Sequence, residues 1–134
     1  MDFTGKVVVI TGASSGIGEA LVYAFADRGA KVVMGARNSA KLAEIAAQLF
    51  TRGIESAFEA TDVTREEDCK RLIDKALSAF GRIDILICNA GISMRALFDD
   101  VQLDVLRQLM DVNFWGTVYC AKYALPAFAG AKRK

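Results

Sequence analysis

A loop containing three glycines separates an apolar segment from a helical pattern near the start of this chain. Residues 7–10 are Val-Val-Val-Ile, and Thr11 leads into the loop Gly12-Ala13-Ser14-Ser15-Gly16-Ile17-Gly18. From Ile17 onward apolar residues recur at helical spacing, and Gly29 is placed to end that helix. A short run that is apolar throughout is typical of a parallel strand buried on both faces. The segment therefore predicts a buried strand, a tight loop and a helix, in that order.

The order of strand and then helix repeats along the whole chain. Strands are predicted over residues 6–11, 31–36, 54–60 and 83–88, the third at a sheet edge. The first predicted helix covers residues 17–28, and the second runs from Asn38 or Ser39 to residue 52. The third runs from a capping box at Thr64 to residue 80. The fourth covers about residues 103–128, with a bend near Gly116 and a disturbance at Pro126. This alternation with short connections predicts an α/β fold, a parallel sheet with helices on both faces.

The charge balance gives no reason to expect a polyanionic partner. Lys and Arg number 17 against 16 Asp and Glu, a net charge of +1, so binding to nucleic acid or to an anionic membrane is not expected. Hydrophobic residues make up 53% of the chain, which buried strands or a surface that meets a partner would explain. No segment reaches the length of a membrane span, and residues 1–12 are predicted as a strand rather than a signal peptide. Residues 132–134, Lys-Arg-Lys, are expected to be a solvated tail.

The use of histidine and cysteine excludes several kinds of catalytic site. The sequence has no histidine, which rules out Ser-His-Asp triads, Cys-His dyads and histidine metal sites. Its cysteines, Cys69, Cys88 and Cys120, are odd in number, widely spaced and without a Cys-x-x-Cys motif. We expect buried or idle thiols in a reducing cytoplasm, and no metal site is predicted.

The glycine loop has the features of a phosphate-binding site. The start of a helix exposes unpaired N–H groups and carries a partial positive charge, and both favour a bound pyrophosphate. Glycines allow the backbone to approach the phosphates closely and accept positive φ angles. Gly18, inside a helix, costs roughly 1 kcal/mol relative to alanine, which a close helix–strand or helix–ligand contact would explain. The residues predicted to bind the phosphates are Thr11, Gly12, Ser14, Ser15, Gly16, Ile17 and Gly18.

Four short motifs occur in one order along the predicted elements. They are the Thr-Gly-x-x-x-Gly-Ile-Gly loop, Asp62-Val63 after the third strand, Asn89-Ala90-Gly91 after the fourth, and Asn113 in the next helix. In this combination the sequence resembles the short-chain dehydrogenase/reductase family. The resemblance implies a Rossmann-like, doubly wound, three-layer αβα fold. It also implies an enzyme activity, the transfer of hydride between NAD(P) and a carbonyl or alcohol. It further implies that residues 1–134 are one NAD(P)-binding domain, incomplete at its C-terminal side and truncated after about four strands.

The residues after the second strand favour NADP(H) over NAD(H). In this fold an acidic residue about 20 residues beyond the glycines binds the adenosine ribose of NAD, whereas an arginine there accommodates the 2′-phosphate of NADP. The acidic position falls on neutral Ala36, and Arg37 follows it. A guanidinium can form bidentate, charge-assisted hydrogen bonds to a phosphate. Ser14 and Asn38 offer further neutral donors, whereas Ser15 stands where some NADP-preferring relatives have a second basic residue. The alternative for Arg37 is an ordinary solvated cation.

The resemblance implies roles for residues after the third and fourth strands. Asp62 would accept a hydrogen bond from the adenine amino group, and Val63 would contribute backbone contacts. The backbone of Asn89-Ala90-Gly91 would pass close beneath the cofactor ribose, with Ile92 toward the nicotinamide. For Asp62, a turn role beside Thr64 is the alternative.

Most of the catalytic residues that the resemblance implies are not found in these 134 residues. The family uses a tyrosine acid/base with a lysine four residues later, a serine on the preceding strand, and a helical asparagine that holds a water in the proton relay. No Tyr-x-x-x-Lys occurs in the sequence, and Asn113 alone matches one of these positions. The prediction is therefore the cofactor-binding half of an NADP(H)-dependent oxidoreductase, and whether this chain alone is an enzyme stays open.

A catalytically inactive nucleotide-binding or structural fragment that self-associates is the alternative function. Residues 113–128 are apolar nearly all round, and strand 83–88 would form an apolar sheet edge. Homo-oligomers built through the helix over 103–128 or through the exposed strand 83–88 are therefore expected. A methyltransferase using S-adenosylmethionine is disfavoured, because it would need a carboxylate where Ala36 and Arg37 stand.

Overall fold

The computed structural model describes residues 2–130, which form a four-stranded parallel sheet flanked by helices. In chain order the elements are β1 Val7–Thr11, α1 Gly16–Ala26, β2 Lys31–Ala36, α2 Ser39–Thr51, β3 Ser56–Ala60, α3 Glu66–Phe80, β4 Ile85–Ile87, α4 Leu103–Met110, a π-helical turn Asp111–Trp115, α5 Gly116–Ala124 and a 3₁₀ turn Leu125–Ala127. The expected solvated tail, residues 132–134, lies outside the described residues.

The strand order β3-β2-β1-β4 places the first and fourth strands side by side. Val8 of β1 pairs with Val32 of β2 on one side and with Ile85 of β4 on the other, and both pairings are parallel. The chain first builds outward from β1 to β3 and then crosses to the opposite side of β1 to form β4. Because the connections diverge between β1 and β4, a crevice opens at the carboxyl ends of these strands. The predicted doubly wound parallel sheet is confirmed.

Each face of the sheet has its own apolar core. On one face Val8 packs with α1 and α2, which contribute buried residues such as Val22 and Leu42. On the other face Val9 packs with α3 and with Ala124 of α5. Successive side chains of a strand point to opposite faces, so a central strand covered on both faces is apolar throughout. The predicted three-layer αβα arrangement is confirmed, and it explains the apolar run that opens the sequence.

The predicted glycine cap at the end of the first helix and the predicted side-chain cap at the start of the second are confirmed. Gly29 has a φ angle of 93°, and Ala30 donates its backbone N–H to the Phe25 carbonyl at 3.1 Å, which closes the end of α1. At the start of α2 the Asn38 side-chain oxygen accepts a hydrogen bond from the Lys41 N–H at 3.1 Å. Of the two predicted caps, Asn38 is therefore the one used.

The capping box predicted at Thr64 is wrong. Helix α3 begins at Glu66, and its N-cap residue, Arg65, makes no side-chain capping bond. The Thr64 hydroxyl donates instead to Asp62 Oδ1 at 2.7 Å. In the predicted box the Thr64 oxygen would accept a helix N–H. Instead the Asp62 carboxylate, two residues earlier, accepts both the hydroxyl and the N–H of Thr64 and holds this residue in the loop before the helix.

The predicted helix over 103–128 is divided into α4, the π-helical turn, α5 and the 3₁₀ turn. In the π-helical turn the Gly116 N–H bonds to the Asp111 carbonyl, five residues earlier, and Pro126 lies in the 3₁₀ turn. These two irregularities lie where the sequence predicts a bend, near Gly116, and a disturbance, at Pro126. No helix within residues 2–130 combines the length and the apolar character that crossing a bilayer requires.

Strand β4 is shorter than the predicted 83–88. At one end Ile83 forms only an isolated bridge with Phe128. At the other end the Asn89 N–H donates to the Thr11 hydroxyl at 3.0 Å rather than to a strand carbonyl. The regular ladder therefore stops where the chain turns into the loop that faces the crevice.

Candidate functional site

A crevice of about 740 Å³ lies at the carboxyl edge of the sheet. The loops after all four strands contribute to it, because parallel strands bring their carboxyl ends to one edge. Its size falls within the range of about 300–1,000 Å³ that is usual for small-molecule sites. The lining residues are Gly12, Ser14, Ser15, Ala36, Arg37, Asn38, Thr61, Asp62, Val63, Thr64, Ala90, Gly91, Ile92, Gln108, Asp111 and Val112.

Two glycines of the loop motif are required by close packing, Gly12 against the segment that follows β4 and Gly18, in α1, against the loop. Gly12 has a φ angle of 63°, and a Cβ there would lie 2.9 Å from the Ala90 Cα. A Cβ on Gly18 would lie 2.0 Å from the Gly12 carbonyl oxygen, which no rearrangement of a side chain relieves. The Asn89 amide donates to that same carbonyl at 3.2 Å. Gly18 therefore allows α1 to pack closely on the loop after β1, which is a helix–loop contact and not the helix–strand or helix–ligand contact predicted for it.

The Thr11 side chain joins the first and fourth strands below the crevice. Its hydroxyl oxygen accepts hydrogen bonds from the N–H groups of Asn89 and Ala90, both at 3.0 Å. Thr11 is 2% exposed, so these bonds form in the interior. Thr11 and Asn89 thus shape the site from beneath it rather than lining it.

The start of α1 is open toward the crevice side of the loop. Ser15 is the N-cap residue, in an extended conformation and without a side-chain capping bond. Gly16 has a φ angle of 55°, and a Cβ there would meet no heavy atom within 4 Å. Ile17 is 73% exposed. The first N–H groups of this 11-residue helix thus have no side-chain cap from the N-cap residue, which is the arrangement that binds anions.

The end of β2 presents one exposed cation to the crevice. Ala36 is 7% exposed and is followed by Arg37, whose side chain is exposed and lines the crevice. Within residues 2–130, Arg37 forms no salt bridge. Asn38 also lines the crevice, and because its side-chain oxygen caps α2, its NH₂ group is the part available as a donor.

Asp62 is held as an ionised carboxylate after β3. Its Oδ1 accepts hydrogen bonds from the Thr64 hydroxyl at 2.7 Å and from the Thr64 N–H at 3.0 Å. The Thr64 hydroxyl bond is the main cause that keeps the pKa of Asp62 below its usual value, with partial burial opposing and the Arg37 charge adding to the effect. Because the bonds to Thr64 use Oδ1, the Oδ2 atom is the better placed of the two oxygens to accept from a ligand.

Asn113 lies in the π-helical turn and binds the backbone of Ile92 at two points. Its Oδ1 accepts from the Ile92 N–H at 2.9 Å, and its Nδ2 donates to the Ile92 carbonyl at 2.8 Å. A Cβ on Gly91 would lie 3.3 Å from the same Oδ1. The side chain of Asn113 is therefore committed to fixing the loop after β4 in position.

The structure brings most of the predicted site residues together around the crevice. Those that line it are Gly12, Ser14, Ser15, Arg37, Asn38, Asp62, Val63, Ala90 and Gly91. Those that do not line it are Thr11, Gly16, Ile17, Gly18, Asn89 and Asn113, which support the loops or stand at the open start of α1. Within residues 2–130 no group of three or more potential metal ligands is arranged to hold an ion.

The sequence analysis missed Thr61, which directly precedes Asp62, and three further lining residues on the helical segments after β4. These three are Gln108 at the end of α4 and Asp111 and Val112 in the π-helical turn. Their spacing of three and four residues marks one face of a helix, and that was the available signal. It could not show that this face meets the crevice, because the packing of the helix against the sheet decides that.

Comparison with known proteins gives consistent matches along the chain. A family model described as short chain dehydrogenase matches residues 6–134. The 11-beta-hydroxysteroid dehydrogenase A of Sesamum indicum is 44% identical over 127 residues, which make up 93% of this chain and 36% of the relative.

Two solved structures share the fold. An alcohol dehydrogenase from the archaeon Thermococcus sibiricus, complexed with 5-hydroxy-NADP, has a TM-score of 0.88 and 33% identity over 91% of this chain and 52% of its own. A short-chain dehydrogenase/reductase from Burkholderia phymatum, in complex with NAD, has a TM-score of 0.91 and 32% identity over 97% of this chain and 46% of its own. The chain thus spans 36% to 52% of the length of these proteins.

Proposed function

This chain belongs to the short-chain dehydrogenase family, and we propose that it is the dinucleotide-binding part of an NADP(H)-dependent oxidoreductase. The reaction proposed for the whole protein is hydride transfer between the nicotinamide and a carbonyl or alcohol. The observation that carries the proposal is the crevice itself, which Ser15, the N-cap residue of α1, and the exposed Arg37 both line. A balanced charge and free cysteines support a cytoplasmic protein without a nucleic-acid or membrane partner.

The pyrophosphate is proposed to bind at the start of α1. The N–H groups of the first turn have no side-chain cap from Ser15, and a helix start carries a partial positive charge. The glycine loop has no Cβ at Gly12 or Gly16, so the phosphates can approach the backbone. The hydroxyls of Ser14 and Ser15 line the same crevice and can donate to phosphate oxygens.

The adenosine end is proposed to lie between the loops after β2 and β3. Arg37 would bind the 2′-phosphate of NADP, and the preceding Ala36 places no carboxylate there to repel it. The Asn38 NH₂ group can add one neutral hydrogen bond. Asp62 would accept from the adenine amino group through Oδ2, because its carboxylate is kept ionised by Thr64.

The nicotinamide end is proposed to lie over the loop after β4. When bound, the nicotinamide ring donates or accepts the hydride. The backbone of residues 89–91 would pass beneath its ribose, and Asn113 fixes Ile92 through two hydrogen bonds. Asn113 is also proposed to hold a water of the proton relay, for which its Nδ2 keeps a second N–H, whereas its backbone carbonyl accepts from the Thr117 hydroxyl at 3.4 Å.

A self-associating module without catalytic activity is the second candidate for residues 1–134. No Tyr-x-x-x-Lys occurs in them, and several large apolar side chains are exposed in the loop and the helical segments that follow β4. Those residues are Met94, Leu97, Phe98, Leu103, Met110, Phe114, Trp115 and Leu125. Exposed apolar surface of this kind commonly marks an interface.

The proposed function is tested by titrating the chain with NADPH and following the nicotinamide fluorescence. We expect saturable binding, and Ser15→Glu should weaken it at least about tenfold because a carboxylate would face the pyrophosphate at the open helix start. Ala43→Glu, which adds the same charge at an exposed position of α2, is the matched control and should change the affinity by less than about twofold. A folded chain that does not bind NADPH, or a Ser15→Glu variant that binds as the parent does, would contradict the proposal.

A further inference from the structure

Three cysteines that are far apart in the sequence come together beneath the crevice. Cys69 lies in α3, Cys88 directly follows β4, and Cys120 lies in α5. Cys69 and Cys120 form one apolar cluster with Val63, and Cys88 packs against it. Cys120 is thus in the same apolar cluster that both other cysteines contact. This proximity was not expected from their wide spacing, and it follows from the packing of α3 and α5 on one face of the sheet.

The three thiols differ in access to solvent. Cys69 and Cys120 are both 0% exposed, whereas Cys88 is partly exposed. The Cys69 thiol is directed to the Val63 carbonyl, which its Sγ approaches at 3.6 Å. A small oxidant from solvent therefore reaches Cys88 first.

The thiols also differ in acidity. Contact with the Cys120 thiol is the main cause that lowers the pKa of both Cys88 and Cys69, with burial opposing in each, and the Thr117 hydroxyl adds to the effect at Cys88. The pKa of Cys120 is raised by its contacts with Cys69 and Cys88 and by burial. Of this pair Cys88 is thus the sulfur that ionises more readily, while Cys120 keeps its proton.

We propose that Cys88 and Cys120 are a thiol pair that a hydroperoxide oxidises to an intramolecular disulfide, with Cys88 as the sulfur attacked first. In the first step the Cys88 sulfur attacks the peroxide, breaks the O–O bond and becomes a sulfenic acid, and hydrogen peroxide is reduced to water. In the second step the Cys120 sulfur attacks the sulfenic sulfur, and the hydroxide leaves as a second water with the Cys120 proton. The two sulfurs lose two electrons in total, which the peroxide accepts.

The disulfide would change the shape of the crevice, because the cysteine cluster forms part of its floor. Val63 belongs to the cluster and Ala90 packs against it, and both residues also line the crevice. A disulfide requires the two Cβ atoms at roughly 3.5–4.5 Å, so closing it fixes α5 against the loop that begins at Cys88. We therefore expect oxidation to weaken NADPH binding, an effect that rests on the proposed function, whereas the disulfide itself does not.

The pair can be identified by mass mapping because each cysteine lies in its own tryptic peptide. These peptides are residues 66–70, 83–95 and 108–122. The reduced chain is treated with stoichiometric hydrogen peroxide, the remaining thiols are alkylated, and the digest is analysed. We expect 83–95 joined to 108–122 with the loss of two hydrogen atoms, and 66–70 alkylated. A bridge that includes 66–70, a bridge between two chains, or Cys88 oxidised with no bridge would overturn the proposal.

Two variants separate the roles of the buried cysteines. In Cys120→Ala the bridge should be lost, and the Cys88 sulfenic acid should persist long enough to react with dimedone. Cys69→Ala, an equally buried change, is the matched control and should form the same bridge as the parent. Mapping of the parent chain decides the assignment even if a variant fails to fold.

The effect on the crevice is measured by NADPH titration of the reduced and oxidised parent chain. We expect at least a threefold weaker affinity after oxidation, on the order of 0.65 kcal/mol. Equal affinities would overturn the coupling to the crevice. If the reduced chain does not bind NADPH at all, the proposed function fails while the mapping still decides the thiol pair.

Discussion

At the scale of single residues, the choice of coenzyme is proposed to depend on Arg37. Its guanidinium is exposed, lines the crevice and has no salt-bridge partner within residues 2–130. Each charge-assisted hydrogen bond to a phosphate contributes roughly 1.5–3 kcal/mol, which corresponds to about tenfold or more in affinity. We expect Arg37→Asp to weaken NADPH binding at least about tenfold and NADH binding by less than about threefold, as measured by calorimetric titration.

The control for this prediction is Arg28→Asp. Arg28 is exposed just after the C-terminal end of α1 and does not line the crevice. Its substitution by Asp therefore makes the same change of charge away from the proposed site. Binding of both coenzymes to this variant should be nearly unchanged. An equal loss of NADPH and NADH affinity in Arg37→Asp would show that Arg37 does not read the 2′-phosphate.

Which residues carry the site was partly visible in the sequence. The glycines, Arg37 and Asp62 stand directly after predicted strands, and parallel strands deliver such residues to one edge. The commitment of Asn113 to Ile92 was not visible, because it requires a π-helical turn whose register differs from that of an ordinary helix. Nor was the meeting of the three cysteines, which lie on three different elements.

At the scale of elements, Asp84 fastens β1 to the segment that leads into β4. Its Oδ2 accepts the Val7 N–H at 2.9 Å, and Arg82 binds the same carboxylate. Val7 is 1% exposed, so removing the carboxylate leaves a buried donor without a partner. We expect Asp84→Ala to lower the free energy of unfolding by about 1–3 kcal/mol at pH 7, measured by urea denaturation. Asp74→Ala removes an exposed salt bridge to Lys70 and should cost about 0.5 kcal/mol or less.

The contribution of Asp84 also depends on pH. The bond from Arg82 is the main cause that holds the pKa of Asp84 below its usual 3.8, with partial burial opposing. Stabilisation from a carboxylate of lowered pKa is present above the unfolded value and is lost as the pH falls through the folded value. The difference in stability between the parent and Asp84→Ala should therefore stay constant from pH 7 down to about 5 and shrink below about pH 3.8. A difference that grows on acidification would contradict this assignment.

Strand and helix positions were predicted closely, and the deviations have local causes. The sheet is covered by helices on both faces, so its strands are short apolar runs. These runs alternate along the sequence with segments of helical spacing, and this pattern locates the strands and helices. Thr64 was assigned to a capping bond that does not form, because its hydroxyl and its N–H both donate to Asp62 and hold it in the loop before α3. Strand β4 was predicted too long. The Asn89 N–H, just after the strand, donates to the hydroxyl of Thr11, 78 residues earlier in the chain, and so does not continue the ladder.

At the scale of the whole molecule, the apolar side chains after β4 are expected to drive self-association. Phe114 and Trp115 are 48% and 44% exposed and lie side by side at the π-helical turn. We expect the chain to sediment as a dimer or larger species at micromolar concentration, and the double variant Phe114→Glu, Trp115→Glu to shift it to the monomer. Phe50→Glu is the matched control, since Phe50 is 82% exposed on α2, and it should leave the sedimentation unchanged. A monomeric parent chain would rule out the association.

The proposed coenzyme site depends on the docking of β4 through the hydroxyl of Thr11. β1, β2 and β3 are neighbours both in the sequence and in the sheet, but β4 must return across more than 70 residues to reach β1. Closing so long a loop costs entropy before any contact is gained, so this docking belongs among the late events. Until it occurs, Asn89 and Ala90 have no anchor and the pocket has no wall on that side. A dinucleotide would therefore bind only molecules in which β4 is docked on β1, and by mass action its binding would stabilise that docked state.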